Sequence, residues 1–364
     1  MTVEKLHKEE ADEIQEEYEK YVKRKETFII STIFLILIFI LIGLTLGPIQ
    51  TTIIDVILFL FGQTSGNLGA IIWNLRMPRV LSALLAGMAL ALSGVAMQSI
   101  LRNPLGSPFT LGISQAAVFG VSFAVIILGA GSVHSSSSDA VLINNPYIVT
   151  LCAFGMCLIS TFIILLLVKF KNAKPETLIL MGVILGSLFS ALTTAIQYFG
   201  DDVQVASIVF WTFGDLSRAT WSDFLLLALI ILPAGIYFMK NAWNYNVLNS
   251  GDETAESLGV NTERIRIIGM IVASLTVSVV VAFFGIIAFV GLVVPHIVRR
   301  IIGGDERHLI PASCLFGGLF LLISDTIART IISPLVLPVG VLTSFLGAPL
   351  FIYLLLKKES RGYW

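Results

Sequence analysis

Long apolar runs alternate with short polar breaks along almost the whole of this chain. A membrane-crossing helix needs about 20 mostly apolar residues to span a hydrocarbon core of about 30 Å. Dividing the runs at polar or Gly/Pro clusters predicts ten spans, at 28–46, 72–98, 110–131, 147–168, 177–199, 222–240, 265–284, 286–302, 309–330 and 336–356. The third begins in Pro104-Leu105-Gly106-Ser107-Pro108, and the seventh and eighth part only near Gly285. Irregular backbone is tolerated at membrane depth only where protein surrounds it, so both places predict broken or re-entrant helices. Gly43/Gly47 and Gly182/Gly186, at four-residue spacing, let helix backbones approach closely. Packing inside one subunit is the first reading of these pairs, and contact between two copies is the other.

Composition turns this pattern into a class. Hydrophobic residues make up 56% of the chain and charged ones 13%, against about 25% charged in soluble domains, and the mean hydropathy is +0.91. The expected fold is an all-α polytopic membrane protein. Residues 1–27 differ, with nine acids against six bases. The pairs Glu4/Lys8, Glu16/Lys20 and Glu19/Lys23 are spaced for a solvated helix, and an acidic start does not suit a cleavable signal peptide. The division is therefore a charged extension (1–27), a ten-span domain (28–356) and a short tail (357–364).

Lysine and arginine orient the spans, because short cytoplasmic loops retain positive charge. With the N-terminus inside, nineteen basic residues fall on the cytoplasmic side and four, Arg76, Arg79, Arg218 and Arg329, outside. An even count puts both termini in the cytoplasm, and the run Ser135 to Ser138 becomes an external loop.

Candidate chemistry is sparse. Cys152, Cys157 and Cys314 lie in apolar runs with no zinc-type spacing to a histidine, which implies buried, inert thiols and no metal. An ion-coupled carrier keeps acids or histidines at mid-membrane depth, whereas here Asp325 alone comes near, four residues before Arg329 and placed to pair with it. No phosphate-binding loop or catalytic triad pattern is present. The energy source is expected on another polypeptide.

One polar insert, Ser250 to Arg266, interrupts the apolar pattern on the cytoplasmic side. Serine and acids near a helix start cap free amides and suit the macrodipole, so a short helix is expected over Ser250 to Leu258. Gly259 should end it, and a second turn should begin at Asn261-Thr262-Glu263. A compact helix pair at a membrane surface can transmit a push.

These residues resemble a known family. Asp252-Glu253-x-Ala255-x-x-Leu258-Gly259-Val260 is similar to the coupling loop of FecCD-type permease subunits of type II ABC importers, which carry iron-siderophores, haem and vitamin B12. Leu75 to Leu81, Ala89 to Gln98, Arg102-Asn103-Pro104-Leu105, Leu111 to Ser114, Gly285 to His296 and Leu337 to Thr343 resemble further motifs of the family, in the same order. The resemblance implies a dimeric permease, a homodimer or a pair of paralogues, with the path at the subunit interface. Two ATPase subunits, holding ATP and magnesium, would dock on the coupling loop (244–266), chiefly at Gly251, Asp252, Glu253, Ala255, Glu256, Leu258, Gly259 and Val260. An extracytoplasmic binding protein would meet Arg76, Arg79 and Arg329. No cofactor, catalytic residue or nucleic acid is expected in this subunit.

In the family a short external helix lies near the path, and Phe210-Trp211-x-x-Gly214 resembles it; Gln197 and Tyr198 are candidates to face the path. Asn103, Pro104, Gly291, Pro295, His296, Pro338 and Gly340 stand as structural signature positions. Asn103-Pro104 reads as a break that caps the third span, and His296 as packing rather than cargo chemistry. The expected function is ATP-driven import of an iron(III)-siderophore through a bacterial or archaeal cell membrane. Haem or cobalamin is the alternative within the class, and an ion-coupled secondary transporter the alternative outside it.

Overall fold

A computed structural model describes residues 3–47, 51–62, 67–132, 142–143, 145–171, 175–333 and 335–356. The serine run and the tail 357–364 lie outside these described residues. In chain order the helices are α1 (Val3–Thr45), α2 (Ile53–Leu60), α3 (Asn67–Ile71), α4 (Met77–Leu101), α5 (Ile113–Ser122), α6 (Pro146–Lys171), α7 (Pro175–Gln197), α8 (Asp202–Thr212), α9 (Trp221–Lys240), α10 (Ala242–Asn249), α11 (Asp252–Ser257), α12 (Thr262–Phe284), α13 (Val290–Ile302), α14 (Glu306–Thr330) and α15 (Val339–Leu356). One two-residue strand pair, Gly131–Ser132 with Leu142–Ile143, is the only sheet among the described residues.

Each of the ten expected spans coincides with one of these helices. Seven are long and apolar enough to cross a membrane by length and composition, among the described residues. The other three, the α5 segment, α13 and α15, are shorter, and two of them stand where proline and glycine predict broken backbone. A 3₁₀ turn at Pro108–Leu111 precedes α5, and a π turn at Phe123–Ile127 follows it. Helix α12 ends at Gly285, whose φ of +76° reverses the chain. The polypeptide re-enters as α13 after Phe289, itself at φ +67°.

Helix α4 is the axis of the bundle. Nearly every residue from Pro78 to Leu101 is buried, and α9, α12, α13 and α14 pack around it. Two of these contacts are backbone on backbone. A Cβ on Gly94 would overlap the Gly291 carbonyl of α13, and one on Gly87 the Gly317 carbonyl of α14. Small residues are what make such proximity possible in a membrane, where dispersion packing replaces the hydrophobic effect as the attraction between helices. The spaced glycines behave likewise: Gly43 abuts Val80 and Arg329, and Gly182 abuts the Thr110 carbonyl, so both pack inside the subunit.

The compositional boundary at 27/28 is not a backbone boundary. Helix α1 runs through it unbroken for 43 residues, about 65 Å at 1.5 Å per residue, because no proline and no glycine before Gly43 interrupts it. Of the expected surface pairs, Glu16–Lys20 forms at 2.7 Å. The membrane end of the extension is also fastened. Lys25, only 4% exposed, stacks over the Tyr21 ring and lies 3.9 Å from Asp305 and 3.5 Å from His308 Nδ1.

Overpacking a tight core contact destabilises by about 3 kcal/mol, so Gly94→Val should lower the melting temperature of the detergent-purified protein sharply. Gly155→Ala, with nothing within 4 Å of the new carbon, should leave it unchanged or raise stability by about 0.5 kcal/mol.

Candidate functional site

The polar insert folds as its residues dictate. Gly251, at φ +107°, turns the chain from α10 into α11. The end of α11 is a Schellman motif: Gly259 N–H donates to Glu256 O and Val260 N–H to Ala255 O, both at 2.9 Å, with Gly259 at φ +82°. Asn261 then caps α12, its Oδ1 accepting from Arg264 N–H at 2.8 Å.

Side chains hold this knob in a fixed orientation. Asp252 accepts from Arg266 Nη2 at 2.5 Å and lies 3.7 Å from Arg102 Nη2, which joins α11 to α12 and to the end of α4. Glu256 accepts from Thr262 Oγ1 at 2.8 Å. Ala255 is wholly buried beneath α11, whereas Glu253 and Leu258 are exposed, Leu258 at 64%. Beside the knob a groove of 550 Å³ is lined by Tyr237, Trp243, Asn244, Leu258, Val260 and Arg264. The result is a rigid, acidic and partly apolar prominence with a hollow at its flank.

A polar junction at the head of α14 supports it, and sequence reading does not single it out. Glu306 is fully buried and Oε1 accepts from Ser99 Oγ at 2.9 Å and Asn249 Nδ2 at 3.2 Å. Arg299 Nη2 lies 3.5 Å from the same oxygen. Neighbouring Asp305 caps α14. Burial raises its pKa, but hydrogen bonds from Arg307 and Asn246 and the Arg307 charge outweigh that and hold it below the usual carboxylate range. The sequence signal at this place, two acids at a helix start, carries no hint that one of them faces inward.

On the opposite face the arginines expected to meet a binding protein turn inward. Arg79 Nε and Nη2 donate to Asp325 Oδ1 at 3.0 and 2.8 Å. Arg329 Nε lies 3.0 Å from Asp325 Oδ2, so the expected pair forms, with a second arginine added to it. Arg329 Nη1 also donates to the carbonyls of Gly43 and Leu46, and Arg76 Nη1 to those of Leu44 and Thr45. Gly43, Leu44 and Thr45 are carbonyls that the last turn of α1 leaves without intrahelical donors, and Leu46 follows directly after them. Arg76, Arg79 and Arg329 are 6%, 9% and 3% exposed. Within this subunit they act as internal caps and ion pairs, with the orphan carbonyls and a buried carboxylate sharing the same guanidinium groups.

The remaining expected positions separate. Gln197 ends α7 and Tyr198, 84% exposed, follows it, on a helix whose open side carries Val183, Ile184, Ser187, Leu188 and Thr194. Asn103 Oδ1 accepts from Leu105 N–H at 2.8 Å, so Asn103 and Pro104 order the turn after α4. The head of the third span is closed instead by Ser107 and Thr110, a correction to the expected cap. Gly291 and Pro295 are buried in α13, and the His296 ring meets the Phe351 ring edge-on at 6.1 Å. Among the described residues no group of three metal-ligating side chains exists. Pro338 precedes α15, and Gly340 N–H donates to Gly214 O at 3.1 Å. There, α8, the 285–289 break and α15 converge on an apolar groove of 530 Å³ lined by Phe213, Ile286, Ala288, Val341, Ser344 and Phe345.

Ten apolar helices, with α4 as their buried axis and a braced polar knob at one end, have the architecture of a membrane permease subunit. The chain belongs to the FecCD transport family, which it matches over residues 35–357. It is 53% identical to an ABC transporter permease protein of Methanocaldococcus jannaschii, over 96% of this chain and 99% of that protein. It is 38% identical to the hemin transport system permease protein of Yersinia pestis, over 80% of this chain and 84% of that one. Among solved structures, a metal-chelate type ABC transporter in an inward-facing conformation superposes with a TM-score of 0.79 at 28% identity, covering 92% of this chain and all of that one. The protein is a multi-pass membrane permease of the ABC importer class.

Removing one member of a buried ion pair costs about 3 kcal/mol or more, because its partner stays charged and unpaired. Asp325→Asn should therefore destabilise the purified protein by about that amount in a thermal melt. A change close to zero would mean that Arg79 and Arg329 do not depend on Asp325.

Proposed function

We propose that this chain moves an iron(III)-siderophore complex into the cytoplasm as one half of a dimeric permease driven by two separate ATPase subunits. The observation that carries the reading is the fastened knob at α10–α11. A solvated loop needs no Schellman end, no buried Ala255 and no ion pairs to two transmembrane helices, whereas a surface that receives force needs all three.

In this reading the ATPases, which hold ATP and magnesium, grip Glu253, Leu258 and the flanking groove. Their approach shifts α11 as a rigid body and changes access to the path, a small displacement amplified by packed helices with two arrangements. Both termini lie in the cytoplasm. A second copy or a close paralogue packs where α15 leaves Phe345 75% exposed beside the 530 Å³ groove. The open side of α7, uncharged from Val183 to Thr194, suits a bulky chelate that slides without being gripped, and selection falls to an extracytoplasmic binding protein. Likeness to a metal-chelate type transporter and to an iron chelatin permease protein supports the cargo class. Relatives named for hemin, vitamin B12 and molybdate import make haem and cobalamin the first competitors to test.

The chain, co-expressed with the ATPase and binding protein of its own system and placed in proteoliposomes, should import labelled ferric siderophore only when ATP is enclosed. Ala255→Glu, which forces a charge beneath α11, should abolish co-purification of the ATPase and import together. Transport by this chain alone without ATP would overturn the reading, and preferential import of haem or cobalamin would replace the cargo.

A further inference from the structure

If α11 is the point where force enters, as the proposed function holds, something must carry its movement to the broken helix beside the outer groove. The Schellman end and the ion pairs of Asp252 explain how the knob stays rigid, but not how its motion leaves it.

A continuous set of hydrogen bonds runs from α10 into the bundle. Asn246 and Asn249, one turn apart on α10, face the head of α14. Asn246 Oδ1 accepts from Glu306 N–H and its Nδ2 donates to Asp305 Oδ1, each at 2.8 Å. Asn249 Nδ2 donates to Glu306 Oε1, the oxygen that also accepts from Ser99 of α4 and pairs with Arg299 of α13. From Arg299 the set continues: Nη1 donates to Gln98 Oε1 at 3.0 Å, and Gln98 Nε2 donates to Leu292 O at 3.3 Å. Leu292 lies in the first turn of α13, directly after the break whose Ile286 and Ala288 line the groove.

Stability alone does not account for this arrangement. Glu306 is wholly buried, and among the described residues its Oε2 accepts no hydrogen bond. A buried ion pair is weak evidence for stability, since apolar groups of similar volume often serve as well, and an attested use of buried polar groups is to specify one arrangement of the helices around them. Here a single oxygen gathers donors from three helices onto a fourth.

We infer that Glu306 is a positioning residue for coupling: through Oε1 it makes the cytoplasmic ends of α4, α10, α13 and α14 move as one body, and the Arg299–Gln98–Leu292 bonds deliver that movement to the α12–α13 break. It touches neither cargo nor nucleotide. Its effect is on how much transport each hydrolysis event yields.

The test uses the assembled permease–ATPase complex with its binding protein and reads three quantities: ATPase association, ATP hydrolysis, and ferric siderophore imported per ATP. Substitutions along such a network change coupling by roughly two- to thirtyfold. Asn249→Ala should keep association and hydrolysis within about twofold while import per ATP falls about tenfold. Glu306→Ala should do the same, and Glu306→Gln, whose amide oxygen can accept from the same donors, should recover most of the loss. Gln98→Met, which keeps side-chain length but cuts the link to Leu292, should match Asn249→Ala, and the double variant should lose no more than either alone. This second site also protects the test should one variant fold poorly. Import and hydrolysis falling by one common factor, or additive losses in the double variant, would overturn the inference. A wild-type complex that hydrolyses ATP yet imports nothing would overturn the proposed function, and this inference with it. Wild-type import with an unchanged ratio in Asn249→Ala overturns this inference alone.

Discussion

Where Gly94 of α4 faces Gly291 of α13, and Gly87 faces Gly317 of α14, the helix backbones touch with no side chain between them. Lipid offers little hydrophobic drive for helices to associate, so close dispersion contact has to supply it. Because α4 is buried along nearly its whole length, these contacts fix where α13 and α14 stand. They also allow α13 to be short, since a broken backbone at membrane depth survives only when protein covers it. The groove at the 285–289 break exists because α4 holds α13 in place beneath it.

Charge is used differently on the two faces of this scaffold. At the face away from the knob Arg76 and Arg329 cap the carbonyls that end α1, and Arg79 and Arg329 share Asp325. They close the bundle where the helix dipole of α1 ends in unpaired acceptors. Around the polar knob, Asp252, Glu256 and Glu306 bind separate elements to one another. Ion pairs and hydrogen bonds that cross between helices resist relative motion, so α10, α11 and the start of α12 present themselves as one piece.

Much of this was legible beforehand, and for a physical reason. Span positions follow from hydrophobic length, which depends on the bilayer rather than on neighbours. Glycine and asparagine at the knob set local backbone geometry, so Gly259 and Asn261 declared the end of one helix and the start of the next. The Asp325–Arg329 pair was readable because both partners sit on one helix face. Composition changes at residue 27, but an unbroken run without proline lets helix α1 continue through it.

What the sequence could not supply lies between elements distant in the chain. Arg79 finds Asp325 across 246 positions, and Glu306 finds Ser99 across 207. An arginine near a helix end looks solvent-facing until folding brings orphan carbonyls within its reach. A glutamate at a helix start looks like a solvated cap until α4, α10 and α13 enclose it. The positions of the apolar helices and the local turns were determined by the sequence, because they answer to solvent and to near neighbours. Which charges face inward was decided by tertiary packing alone, because burial is a property of the assembled helices and of no single segment.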